Sequence, residues 1–178
     1  MLHFLLPDLH TLLQALLYLI PSAIIWLLLT GLSGRTALYS ILSLPGTFLH
    51  ELLHLTAGIV TNAQPVSFSL LPKRDRRGKL ILGSASFANI RWYNALPTSL
   101  APLLGIYITL LAAAYRVDGG YAFKPADIII WCLLAPQFTS MWPSSTDWKI
   151  SFKSWPLYLF GAVLLMYEFD PRLLAPIV

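Results

Sequence analysis

The chain has 178 residues, of which 57% are hydrophobic and only 11% charged, and its net charge is +4. A soluble domain carries about a quarter charged residues, so the composition argues for a single integral-membrane domain over residues 1–178. The basic residues flank apolar segments and form no free tail, which speaks against nucleic acid as a partner. The single cysteine, Cys132, excludes an internal disulfide and any multi-cysteine metal site.

A membrane crossing takes about 20 apolar residues. In chain order the candidate spans are about 9–30, 37–60, 95–115, 126–142 and 155–170. The N-terminus, "MLHFLLPDLH", lacks a basic region, and no small-residue cleavage site follows the first apolar stretch, so the first segment reads as a retained span. Pro97, Pro102 and Pro136 fall in or near spans, where they are tolerated if neighbouring helices satisfy the carbonyls they free.

Between the second and third spans the period changes. Val66, Phe68 and Leu70 alternate with Ser67 and Ser69, and Gly83, Ala85 and Phe87 alternate with Ser84 and Ser86. That period of two is a strand signature, and "PKRDRRGK" between the arms is a charged turn. The expected fold is an all-α polytopic membrane protein of about five transmembrane helices with one β-hairpin over about 65–87. An open sheet edge cannot face lipid, so the hairpin belongs at the interface or against the helices.

Orientation follows from the cations. With the hairpin loop 73–79 in the cytoplasm, the inner side carries Lys73, Arg74, Arg76, Arg77, Lys79, Arg91, Lys149 and Lys153, and the outer side Arg35, Arg116, Lys124 and Arg172. Eight against four fits the positive-inside rule. The expected location is the inner (plasma) membrane of the cell. Trp92, Tyr93, Trp142, Trp148 and Trp155 fall at cytoplasmic span ends, as an anchoring aromatic belt would.

The second span contains "FLHELLHL", residues 48–55. On a helix His50 and His54 share a face and can hold one metal ion between them, with Glu51 beside it as a general base. Zinc suits two imidazoles because it keeps an open position and activates water near neutral pH. Core histidines with a salt-bridged glutamate are the plainer alternative, but ionisable groups within a membrane are costly and mark functional sites. A catalytic zinc wants a third protein ligand. In this topology Asp118, Asp127, Glu168 and Asp170 lie outside, and Asp75 sits in the turn tip. Asp147 shares the histidines' side, as do His3, Asp8 and His10. Pro143 and two serines can break the helix before Asp147 and let it fold back; pairing with Lys149 or Lys153 is the alternative. At 1.5 Å per residue His54 is about 24 Å along its span and Asp147 about 31 Å from Ala126, so that break must close the gap.

These features together resemble the site-two protease family of intramembrane zinc metalloproteases. The matching parts are "HELLH" in an out-to-in span, a β-hairpin on its cytoplasmic side, the small-residue and proline-rich "ALPTSLAPLLG" (95–105), and an aspartate closing the next span. They cover about residues 37–150. The resemblance implies zinc held by His50, His54 and Asp147, Glu51 as catalytic base, and a membrane-embedded protein or peptide substrate guided by the hairpin. The family's aspartate usually sits in Leu-Asp-Gly after an Asn-Pro stretch, whereas here it is in "PSSTDWK", and no loop is long enough for a PDZ or CBS domain. The chain therefore reads as a minimal or divergent member. Asn89 and Asn94 are candidate substrate-binding residues, as donors to a peptide backbone or an oxyanion, with helix capping before the third span the simpler role. The competing readings are a non-catalytic metal-binding membrane protein, which would not need Glu51, and a metal transporter, which would show more ligands along a path or repeated broken helices. A cysteine replacing Gly78 should react with impermeant reagent only from the cytoplasmic face. Labelling only from outside would overturn this topology and the selection of Asp147.

Overall fold

A computed structural model describes residues 7–31, 36–74 and 80–169. His3, Arg35, Asp75 and the rest of the hairpin tip (75–79), Asp170 and Arg172 lie outside them.

The chain is mostly helical, and prolines punctuate it. Helices α1 (Leu9–Tyr18) and α2 (Ile20–Gly31) are separated by Leu19. Pro21, just after that break, has no N–H to give and its ring crowds the preceding turn. Asp8 caps α1, accepting from the Thr11 N–H at 2.7 Å. In the same way α3 (Thr36–Leu42) and α4 (Leu44–Val60) part at Ser43, with Pro45 in the first turn of α4. Pro102 lies in a 3-10 turn (Ala101–Leu103) that joins α5 (Ala95–Leu100) to α6 (Leu104–Val117). After α7 (Ala126–Leu134), Pro136 precedes α8 (Gln137–Ser140), and Pro143 precedes α9 (Ser145–Ser151). A 3-10 turn (Phe152–Ser154) then leads into α10 (Trp155–Phe169). Two continuous helical runs, Leu9–Gly31 and Ala95–Val117, each 23 residues, are long and apolar enough to cross a membrane; Ala126–Ser140 is apolar but shorter.

The hairpin forms as the alternation predicts. Strand β1 (Pro65–Ser69) pairs antiparallel with β4 (Ser84–Phe87), and the short β2 (Lys73–Arg74) pairs with β3 (Leu80–Ile81) toward the tip. Ser67 faces Ser86, Phe68 faces Ala85 and Ser69 faces Ser84, with a bulge between Pro65 and Ser67. The entry is set by Asn62, whose φ of 57° ends α4 in the left-handed region that asparagine tolerates. The Ala63 N–H reaches back to the Gly58 carbonyl at 2.7 Å, closing that helix end.

Packing is inverted relative to a water-soluble domain. Most large aliphatics stand exposed, among them Leu13, Leu28, Ile129 and Leu165, while Ser22, Glu51, Asn94, Thr98 and Asp127 are buried. Where the surroundings are apolar, burying aliphatics gains little, and helices associate through small residues and internal polar contacts. Accordingly α1 meets α6 through Ala15, Ala113 and Ala114. At one end of this contact Asp127 accepts from Arg116 at 2.6 and 2.8 Å, from the Tyr18 hydroxyl at 2.9 Å and from the Lys124 N–H at 2.7 Å. This clasp ties α1, α6 and α7 together.

Helix α4 is the hub, and two glycines let its neighbours touch its backbone. The Phe87 ring of β4 lies on Gly58. A β-carbon at Gly46 would stand 2.5 Å from Ser140 Oγ and 2.7 Å from the Pro136 carbonyl, so only glycine allows α8 this close. Gly46→Ala should therefore destabilise the fold by about 1–3 kcal/mol, read as a lower unfolding midpoint in detergent. Gly161→Ala in α10, where an added methyl meets nothing within 4 Å, should not.

Candidate metal centre

Both histidines project from α4 one turn apart, and each is oriented through its Nδ1. His54 Nδ1–H donates to the Thr98 carbonyl at 2.7 Å, and His50 Nδ1–H donates to the Ser140 carbonyl. A carbonyl can only accept, so each Nδ1 carries the proton and each neutral ring presents its Nε2 lone pair inward. Both acceptors are available for reasons written in the chain. Four residues after Thr98 stands Pro102, which has no N–H to close the helical bond. Four residues after Ser140 stands Ser144, whose N–H is directed elsewhere.

That N–H donates to Asp147. Ser144 and Asp147 form a capping box at the start of α9: the Ser144 N–H reaches Asp147 Oδ2 at 2.6 Å, and Ser144 Oγ accepts from the Asp147 N–H at 3.2 Å. The breaks around Pro136 and Pro143 shorten the path that a continuous helix would take, which closes the depth gap expected from the sequence. Asp147 thereby reaches the histidines. Its Oδ1 lies 3.4 Å from His54 Nε2 and its Oδ2 3.8 Å from His50 Nε2, while the two Nε2 atoms are 3.1 Å apart.

Two lone pairs and a carboxylate directed at one point repel unless a cation joins them. A proton can satisfy one pair of these atoms; a metal ion can satisfy all three. Ligands on a tetrahedral zinc with bonds of 2.0–2.1 Å are separated by about 3.3–3.4 Å, close to the distances observed. Imidazoles whose second nitrogen donates to a carbonyl are also the usual form of a histidine metal ligand. Burial alone would raise the Asp147 carboxyl, but the adjacent His54 imidazole and the Ser144 N–H outweigh it and hold the group below the usual carboxylate range. Among the described residues, His50, His54 and Asp147 are the one group of three whose ligand atoms come this close, all within 4.8 Å.

Glu51 is buried beside this group. Ala88 donates to the Gln64 carbonyl across the hairpin at 2.9 Å, so the alternation along β4 turns Ala85 away from β1 and toward α4. There the Ala85 N–H hydrogen-bonds the Glu51 carboxylate. Gly83 makes room for it: a β-carbon there would lie 2.8 Å from Glu51 Cγ and 2.7 Å from Thr47 Cγ2.

Other residues weighed as site members have structural work. Asp8 and His10 lie at the start of α1, where Asp8 caps the helix and His10 is 3.5 Å from the Gln14 amide. Asn94 is fully buried, and its amide bonds only backbone: it accepts from the Arg91 N–H at 2.7 Å and donates to Asn89 and Thr61 carbonyls. It begins α5 without capping it through its side chain. Asn89 donates to the Asn62 carbonyl and accepts from Arg91 Nε. The pair therefore fastens the hairpin's return to α5. The two carbonyls, Gly83 and the box are absent from the set expected from the sequence, although Pro102 four after Thr98 and the Ser-x-x-Asp of "SSTD" carry the signals.

The chain matches no family model, no curated protein and no solved structure.

The purified protein should take up one equivalent of a divalent ion, and the double variant His50→Ala/His54→Ala none, by elemental analysis. Asp147→Ala should weaken uptake, whereas Asp75→Ala should leave it unchanged. Full occupancy in the double variant would remove the site.

Proposed function

We propose that the protein is an intramembrane zinc metalloprotease that hydrolyses peptide bonds of membrane-embedded protein or peptide substrates. The observation that carries this reading is the convergence of His50, His54 and Asp147 beside the buried carboxylate of Glu51, with both imidazoles held in the tautomer a metal requires. The sequence resemblance to the site-two protease family supports it. So does the inverted packing, in which the polar cluster is inside and the aliphatics outside. In this reading the chain is multi-pass with about five spans, lies in the inner (plasma) membrane and carries its hairpin tip in the cytoplasm.

His50, His54 and Asp147 would hold the ion. A bound zinc supplies Lewis acidity, polarising a peptide carbonyl and making water a better nucleophile near neutral pH. Glu51 takes the proton from the attacking water and can return it to the departing amine. Its hydrogen bond from Ala85 keeps the carboxylate aimed during that exchange. A transmembrane helix hides its carbonyls in internal hydrogen bonds, so the substrate must be extended before attack. The hairpin over 65–87 can hold such an extended segment as an added strand through main-chain hydrogen bonds.

Glu51→Gln keeps the shape of the side chain but cannot accept the proton. It should bind zinc with wild-type stoichiometry and lose cleavage of a reconstituted transmembrane peptide by at least about a hundredfold, as removal of a general base does. Cleavage at the wild-type rate would eliminate Glu51 as base. A wild-type chain that holds zinc stoichiometrically but cleaves no membrane peptide would favour the non-catalytic metal-binding reading.

A further inference from the structure

We infer that Ser144 is a positioning residue for the metal centre, holding Asp147 so that one carboxylate oxygen is a ligand while the other is tied to the start of α9. The inference rests on the zinc reading of the site and assigns a residue that is not itself a ligand.

Three observations carry it. The Ser144 N–H donates to Asp147 Oδ2 at 2.6 Å, the shorter of the two bonds in the box, and leaves Oδ1 as the oxygen nearer His54 Nε2. Ser144 Oγ accepts from the Asp147 N–H at 3.2 Å, which fixes the backbone from which the carboxylate projects. Behind them α9 is anchored to the rest of the site: Ser154, fully buried just after it, accepts from the Leu96 N–H of α5 at 2.8 Å. Helix α5 in turn supplies the Thr98 carbonyl that orients His54. Asp147 is thus held from its own helix, and that helix is held by the element that orients a histidine. A carboxylate on a short helix otherwise has rotamers that swing it away from the imidazoles. The box selects the one that meets them, as the partners of metal ligands do elsewhere.

The box can be dismantled in steps. Ser144→Thr keeps both bonds and should bind zinc as the wild type does. Ser144→Ala keeps the N–H and loses the hydroxyl acceptor that fixes the Asp147 backbone, and zinc affinity should fall a few-fold, roughly fivefold. Ser144→Pro removes the N–H itself. The native φ of −68° already suits proline, and with both the N–H and the hydroxyl gone affinity should fall about tenfold to a hundredfold. Ser145→Ala, next to the box and outside it, is the control and should match the wild type.

The measurement is a competition titration of Zn2+ against a chromophoric chelator on the full-length chain in detergent, with thermal unfolding of the metal-free forms alongside. The ordering wild type, Thr, Ala, Pro in affinity, with metal-free unfolding midpoints that do not follow it, supports the assignment. Wild-type affinity in both Ser144→Ala and Ser144→Pro overturns the role of Ser144 while leaving the metal site standing. A wild-type chain that takes up no zinc overturns the metal reading itself.

Discussion

The arrangement depends on two backbone carbonyls that the helices do not use. Thr98 and Ser140 each lack the N–H that would normally arrive from four residues on, one because that residue is Pro102 and the other because the chain turns away toward α9. Each carbonyl accepts an imidazole Nδ1–H instead. Free carbonyls inside a helical bundle are costly unless something donates to them. Here the donors are the two histidines, and satisfying the backbone is the same act as orienting the rings. The inward direction of both Nε2 atoms follows from that exchange, and the same break that frees the Ser140 carbonyl leads the chain to Asp147.

The prolines thus shape the centre without contributing a side-chain ligand. In a water-soluble helix an interior proline is mainly a cost of about 3 kcal/mol. In a bundle with polar groups inside and aliphatics outside, the freed carbonyl becomes an inward-facing acceptor with a defined position. The breaks near Pro136 and Pro143 perform a second task, folding the segment after α7 back so that α9 begins beside α4. A single straight helix over that stretch would carry residue 147 well past the histidines.

The hairpin belongs to the same construction. It is tied at its base by Asn89 and Asn94 and lies against α4 through Phe87 on Gly58. Its backbone touches Glu51 where Gly83 leaves room and Ala85 presents an N–H. Glycine is exchanged for bulk in both directions across this contact: the helix gives up a side chain at 58 to accept a ring, and the strand gives up one at 83 to admit a carboxylate. That reciprocity fixes where β4 sits against α4, because a slip of one residue along the strand would bring Ser84, whose main-chain groups face β1, opposite Glu51 in place of Ala85.

The one-dimensional pattern by itself determined the features that depend on neighbours along the chain. Apolar runs marked the helices and the period-two serines marked the strands, because each signal follows the repeat of its own backbone. The spacing of His50 and His54 set them on one helical face for the same reason. The topology expected from the cation distribution left Asp147 alongside His3, Asp8 and His10 as candidates for the third position. Tertiary structure decided what depends on distant partners. It brought Asp147 and not Asp8 or His10 to the histidines, because the two breaks near Pro136 and Pro143 bring α9 to α4 while α1 is held elsewhere by the Asp127 clasp. It tied both asparagines to the backbone after α4, because their partners at Thr61 and Asn62 lie about 30 residues away. It also selected the tautomer of each imidazole, since a ring nitrogen takes its proton state from the atom it meets, and no local pattern names that atom.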